Sequence, residues 1–184
     1  MMVSDTGFMA RALELARKGL YTTDPNPRVG CVLVRDGHII AEGWHHRAGQ
    51  AHAEIEALGN LPDPLAARGA TAYVTLEPCS HHGRTGPCCD ALIAAGIARV
   101  VVAMQDPNPL VAGDGLRRML DAGIEVSCGL LQPDAEQLNR GFIKRMTQAL
   151  PFVRIKLAMS LDGRTALANG QSQWITSEPA RRDV

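Results

Sequence analysis

The chain opens on an amphipathic run. Phe8, Ala12, Leu15, Ala16 and Leu20 recur near every 3.6 residues, which predicts a helix with one buried stripe. Asp5 or Thr6 is its expected cap, and Gly19 lies at its end. Residues 22–27, rich in Pro, Asn and Asp, read as a loop. Residues 29–34 and 38–43 are strand-like and flank Arg35-Asp36-Gly37; Asp-Gly between two such runs signals a hairpin.

From Ala51 to Gly59 the pattern turns helical, and then alternates: 72–76 strand, 88–95 helix, 99–103 strand, 115–122 helix, 124–128 strand. Strands separated by helices of this length imply right-handed crossovers and a largely parallel sheet covered by helices. The opening hairpin adds an antiparallel edge, so the expected class is α/β with a mixed sheet. Residues 133–147 read as a last helix, with Leu138, Phe142, Ile143 and Met146 on its apolar side.

The pattern changes after Leu150. Residues 152–159 read as a new strand, followed by a turn at Asp162-Gly163 and a capped helix start at Ser177. The expected organisation is one domain over 1–150 and, over 151–184, a segment too short to bury a core alone.

Composition changes this picture little. Hydrophobic residues are 46% and charged residues 21% of 184, and Lys+Arg equals Asp+Glu at 19 each. No basic stripe calls for nucleic acid, and no apolar run is long enough to span a bilayer. Five cysteines, two of them adjacent at Cys88 and Cys89, make a poor disulfide framework. They suit the reducing cytoplasm, where thiolates remain available to metal.

Candidate chemistry lies in three clusters, each at a junction of elements: His52-Ala53-Glu54, Glu77-Pro78-Cys79 and Pro87-Cys88-Cys89. One imidazole and two thiolates are three good Zn2+ ligands, which leaves the fourth position for water. Glu54, two residues beyond the His, can lie beside the metal and shuttle protons without coordinating it. This is the H-x-E and P-C arrangement of zinc deaminases, with a wider spacing between the cysteines. The rival is a closed structural zinc site that recruits His81 or His82. The plain alternative makes His52 a cap, Glu54 a solvated residue, and both cysteines core. Cys31, Cys128, Met104 and Met119 are expected in the core, and Cys89 to pack away from the metal. His46, His81 and His82 are loop histidines near the cleft. Trp44 either stacks on a bound ring or closes a sheet edge.

The run TLEPCSHHGRTGPCCDALI, with HAE before it and MQDPNPLVAGDGL after it, closely resembles the deaminase domain of the bifunctional deaminase–reductase family of riboflavin biosynthesis. Residues 151–184 resemble the opening of that family's reductase domain. The resemblance implies a three-layer α/β/α cytidine-deaminase-like fold, zinc on His52, Cys79 and Cys88, and Glu54 as the catalytic proton shuttle. It implies hydrolytic loss of the 2-amino group from 2,5-diamino-6-(5-phosphoribosylamino)pyrimidin-4(3H)-one. Asn26, His45, Arg84, Asp106 and Asn108 match positions in or near the family's substrate pocket. Arg84 lies on the loop between the metal ligands, where a cation can hold the ribose phosphate. Gly86 stands where the family usually carries proline and loosens that loop. Lys156, Ser172 and Trp174 match the reductase's opening motifs for substrate and NADPH. No complete nucleotide site is present, so NADPH is expected only with a whole reductase domain. By analogy the partners are a small phosphorylated aminopyrimidine and further copies of the chain, with neither nucleic acid nor membrane. The competing functions are deamination of another free or tRNA-bound base, a non-catalytic zinc-stabilised module, and an assembly fragment dependent on residues 151–184.

Overall fold

Arg35-Asp36-Gly37 turns the chain as expected: Asp36 and Gly37 take φ of 51° and 74°, the two positive-φ positions of a type I′ hairpin. The turn joins β1 (Gly30–Arg35) to β2 (His38–Trp44). The structure, a computed structural model, describes residues 4–81, 86–109, 111–172 and 174–182. It divides into two units, Met1–Pro151 and Phe152–Val184.

In the first unit α1 (Asp5–Arg17) precedes the hairpin. After it come α2 (Ala53–Gly59), a 3-10 turn (Pro64–Ala67), β3 (Thr71–Val74), α3 (Cys88–Ala94), β4 (Arg99–Val102) and α4 (Asp114–Asp121). The unit closes with β5 (Glu125–Cys128), α5 (Gln132–Leu138) and α6 (Arg140–Gln148). The strands form one mixed sheet in the order β2-β1-β3-β4-β5. β1 is antiparallel to both neighbours, whereas β3, β4 and β5 run parallel.

Residues 30–34 of β1 are buried in an unbroken run, which requires cover on both faces of the sheet. Two glycines locate that cover. A Cβ on Gly30 would stand 2.0 Å from the Ala12 carbonyl, and one on Gly43 would stand 2.4 Å from the Ala57 nitrogen. Gly43 pairs with Cys31, the residue after Gly30, and successive strand residues point to opposite faces. Helices α1 and α2 therefore pack on opposite faces, giving three layers. The core between them holds Met9, Ala12, Val32, Leu33, Val74, Leu92 and Val100–Val102, all nearly or fully buried.

Four expectations need correction. Ser4, not Asp5 or Thr6, stands at the N-cap of α1; Asp5 lies in the first turn and bonds to Arg99 and Tyr73 instead. Residues 133–147 are two helices, because Asn139 leaves helical geometry at φ −110° and turns its amide onto the Arg28 backbone, the competition that makes Asn a poor interior helix residue. Cys128 is exposed rather than core, since β5 is an edge strand whose residues are mostly solvent-facing. Cys31, Met104 and Met119 are buried as expected.

The fourth correction concerns the second unit. Residues 152–159 form no strand, and Val153, Ile155 and Leu157 are exposed. A strand needs a ladder partner for its backbone groups, and none of the unit's described residues supplies one. Gly163 turns at φ 81°, and α7 (Glu178–Arg182) follows Ser177 where a capped start is expected.

Candidate active site

The three clusters converge through the fold. His52 stands at the N-cap position of α2 and Cys88 is the first residue of α3; Cys79 lies on the segment that leaves β3. The sheet places β1 beside β3, so elements far apart in sequence meet at one end. His52 Nδ1 lies 3.3 Å from Cys88 Sγ and 3.6 Å from Cys79 Sγ, and the three donor atoms all fall within 4.8 Å of one another.

These distances test the donor set against zinc. Bonds of ~2.3 Å to sulfur and ~2.05 Å to nitrogen at a tetrahedral centre put N and S about 3.5 Å apart. The residues fit. Among the described residues the cluster comprises these three side chains alone; His81 is exposed on the cleft, and His82 lies outside the described residues.

The protonation of the donors suits a cation. Cys79 is held far below the usual thiol range, first by a hydrogen bond with the Cys88 thiol and then by His52. The Cys88 backbone N–H also donates to Cys79 Sγ at 3.3 Å. Cys88 is pushed up by that same bond and by burial. Hydrogen bonding to Cys79 raises His52. The cluster thus shares protons that a metal would displace.

Glu54, in the first turn of α2, is only 3% exposed. Burial, with the Cys79 charge adding to it, pushes its carboxyl up to about 7. Its neighbour His45 is also buried and fixed on both ring nitrogens. Nδ1 donates to the Ala51 carbonyl at 2.9 Å, and Nε2 accepts from Asn26 Nδ2 at 3.1 Å. Burial lowers the His45 pKa, which favours this neutral, doubly fixed ring.

A cleft of about 270 Å³ opens above these groups, lined by Asn26, His45, His52, Glu54, Cys79, Asp106 and Asn108 among others. Asp106 Oδ1 accepts the Asn108 N–H at 2.8 Å, a local turn of the kind Asp favours. Burial raises the Asp106 pKa.

A model of the cytidine and deoxycytidylate deaminase zinc-binding region matches residues 2–104, over half of the chain. The chain belongs to that deaminase family. Residues 151–184 match the RibD C-terminal domain. The riboflavin biosynthesis protein RibD of Escherichia coli is 64% identical over 182 residues, 99% of this chain and 49% of that protein. Acinetobacter baumannii RibD (form 1) superposes with a TM-score of 0.90 at 55% identity, covering 97% of this chain and 50% of that one. A diaminohydroxyphosphoribosylaminopyrimidine deaminase/5-amino-6-(5-phosphoribosylamino)uracil reductase from Thermotoga maritima gives 0.91 at 46% identity, covering 97% and 51%. The chain spans about half the length of the curated relatives it matches. Among the described residues no helix is long and apolar enough to cross a membrane.

Of the residues expected in this deaminase site, His52, Cys79, Glu54, Asn26, His45, Asp106 and Asn108 all line one cleft, and Cys88 lies beside it against His52. Arg84 lies outside the described residues. Gly86 is exposed, with open space where a Cβ would be. Cys89 packs away from the donors, buried, its Sγ near Asp90. Trp44 stacks on His46 at 3.9 Å between ring centroids. In the second unit Ser172 shares a cleft with Ser160 and Arg164 and donates to the Thr165 carbonyl. Lys156 is exposed, and Trp174 stacks under Arg181.

Three features of the site escaped the sequence reading. Glu77 is buried, and its carboxylate accepts the backbone N–H groups of Asp106, Gly113, Gly115 and Leu116. The signal was an acidic residue in an otherwise apolar strand end. Asn139 grips both backbone groups of Arg28. Phe142, Arg145 and Met146 of α6 line the cleft, whereas the periodicity placed Phe142 and Met146 only on the helix's apolar side.

Proposed function

We propose that residues 1–150 form a zinc-dependent deaminase that hydrolyses 2,5-diamino-6-(5-phosphoribosylamino)pyrimidin-4(3H)-one to 5-amino-6-(5-phosphoribosylamino)uracil and ammonia. Residues 151–184 are the opening part of a reductase domain, and the proposal gives them no NADPH chemistry of their own. One observation carries the reading: three metal-binding donors meet around His52 Nδ1, with the buried carboxyl of Glu54 beside them on the floor of a polar cleft. The likeness to RibD and to the Thermotoga maritima deaminase/reductase supports the choice of substrate over another free or tRNA-bound base.

His52, Cys79 and Cys88 would hold zinc, which would supply a Lewis acid able to acidify water at neutral pH. The remaining work belongs to the chain. Glu54 takes a proton from the attacking water on a carboxylate oxygen and delivers one to the departing amine nitrogen. The ring carbon exchanges its C–N bond for a C–O bond, and ammonia leaves. Asn26 and Asn108 present amide groups, and Asp106 a carboxyl, to the polar edges of the ring, while His45 holds Asn26 in place. The thiolates suit a reducing compartment, and we assign the protein to the cytoplasm.

The test is ammonia release from the diaminopyrimidine ribose phosphate by the wild type and by Glu54→Gln at matched zinc content. Glu54→Gln should lose at least about 100-fold in rate while keeping its zinc. A folded, zinc-loaded wild type that releases no ammonia removes the assignment.

A further inference from the structure

Helix α6 carries Phe142, Arg145 and Met146 at i, i+3 and i+4, the spacing that puts three side chains on one helical face. That face lines the cleft, yet none of the helix is fully buried. Arg145 is the sole Lys or Arg among the described residues that line it. The carboxyl groups that line it are Glu54, Glu77 and Asp106. Glu77 is already satisfied by backbone N–H groups. Among the described residues, Arg145 is the permanent cation that an anionic ligand meets in this cleft.

The position of Arg145 is built rather than incidental. Asn139, immediately before α6, accepts the Arg28 N–H at 2.8 Å and donates to the Arg28 carbonyl at 3.0 Å. Arg145 itself donates to the Pro25 carbonyl, and its guanidinium lies 5.8 Å from the Phe142 ring centroid. The helix is thereby fastened at two points to the loop that carries Asn26. A guanidinium has five N–H donors in a fixed fork, so the bond to Pro25 leaves others for a ligand.

We infer that Arg145 forms the phosphate subsite of this cleft, its guanidinium binding the 5-phosphate of the substrate's ribose. The inference rests on the function proposed above. In that substrate the amine to be lost and the phosphoribosylamino group sit on different ring carbons separated by a ring nitrogen. With the first against Glu54, the second lies on another edge of the ring, and α6 supplies a wall of the same cleft. A fork of N–H donors matches phosphate oxygens, and such charge-assisted pairs are the strong ones.

Two measurements test it. In the first, ribose 5-phosphate is titrated into the zinc-loaded full chain, with Arg145→Ala, Arg145→Lys and Arg84→Ala beside the wild type. Arg145→Ala should weaken binding about 10- to 100-fold, the worth of a charged hydrogen bond or two, and Arg145→Lys should restore part of it. In the second, kcat/KM is compared for the phosphorylated substrate and its dephosphorylated riboside. The preference for phosphate should fall about 10- to 100-fold in Arg145→Ala, chiefly through KM. Ribose 5-phosphate bound by Arg145→Ala as by the wild type, or a loss confined to Arg84→Ala, overturns the inference. So does an equal loss on both substrates, which marks a merely structural role. If Arg145→Ala does not fold, Arg145→Gln takes its place. Ribose 5-phosphate binding that depends on Arg145, in a wild type that releases no ammonia, sinks the proposed reaction and leaves the subsite standing.

Discussion

The Gly115 N–H donates to the Glu77 carboxylate at 2.9 Å, where a Cβ on residue 115 would stand 2.1 Å from the Pro78 carbonyl. This approach joins the segment that carries Cys79 to the start of α4. The same carboxylate takes the Asp106 N–H, so one side chain ties a metal-donor turn to the loop bearing Asp106 and Asn108. Four backbone donors around a buried carboxylate serve in place of a cation.

Glu77→Ala should therefore destabilise the chain by about 3 kcal/mol or more, since several buried N–H groups lose their acceptor. Glu77→Gln should cost less, about 1–2 kcal/mol, because one acceptor oxygen survives. Gly115→Ala should cost about 1–3 kcal/mol through overpacking against Pro78. Urea unfolding of the zinc-loaded protein checks all three. A Glu77→Ala midpoint equal to that of the wild type would show that water replaces the carboxylate without penalty.

Metal removal should act on both stability and chemistry. Three donors within 4.8 Å carry the site, so Cys88→Ser or Cys79→Ser should drop zinc from about one ion per chain to a minor fraction. Chelation should lower the melting temperature of the wild type and not that of Cys88→Ser, because only a bound ion stabilises by linkage. Atomic absorption together with thermal melting reads both effects. Full zinc occupancy in Cys88→Ser would mean that another side chain, such as His81 or His82, serves as a ligand.

Much of this site was legible because zinc chemistry constrains residue type and position at once. His52-Ala53-Glu54 and Pro87-Cys88 could be placed at helix starts from local pattern alone, and the hairpin from Asp36-Gly37. What stayed hidden depends on contacts remote in sequence. Asn139 breaks the last helix to reach Arg28, 111 residues away, and no local window contains that partner. Cys128 looked like core because it ends a strand-like run, but it is exposed because that strand lies at the sheet edge. Residues 152–159 have strand composition without a ladder partner, and composition does not supply one.

Acid should loosen the contact between α1 and the sheet. Asp5 accepts from Tyr73 Oη at 2.7 Å and from Arg99 at 2.8 Å, and the Arg99 and Tyr73 bonds hold its carboxyl below the ordinary 3.8. The folded chain therefore binds fewer protons than the unfolded chain between those two values. The contribution is complete above about pH 4 and is lost as pH falls through the lowered folded value. The Asp5 side chain is 45% exposed, so solvent screening keeps the effect to about 1 kcal/mol or less. Comparing wild type with Asp5→Asn by urea unfolding at neutral and acid pH checks it: the gap should close toward pH 2. A gap that persists there would assign the effect to packing.

The reciprocal pair between Asn139 and Arg28 makes a sharper demand. Asn139 is fully buried, accepts the Arg28 N–H at 2.8 Å and donates to the Arg28 carbonyl at 3.0 Å. Asn139→Ala removes both bonds from a buried site and should cost about 2–4 kcal/mol. Asn139→Asp keeps the acceptor but not the donor, so its loss should be intermediate. The pair also fixes α6, and with it Arg145, against the loop that carries Asn26. KM should therefore rise in Asn139→Ala more than kcat falls, because the altered contacts bind the substrate and Glu54 is untouched. Measured well below the melting temperature, that split separates misplacement of the binding wall from general unfolding. A fall in kcat alone, with KM unchanged, would mean that α6 does not hold substrate.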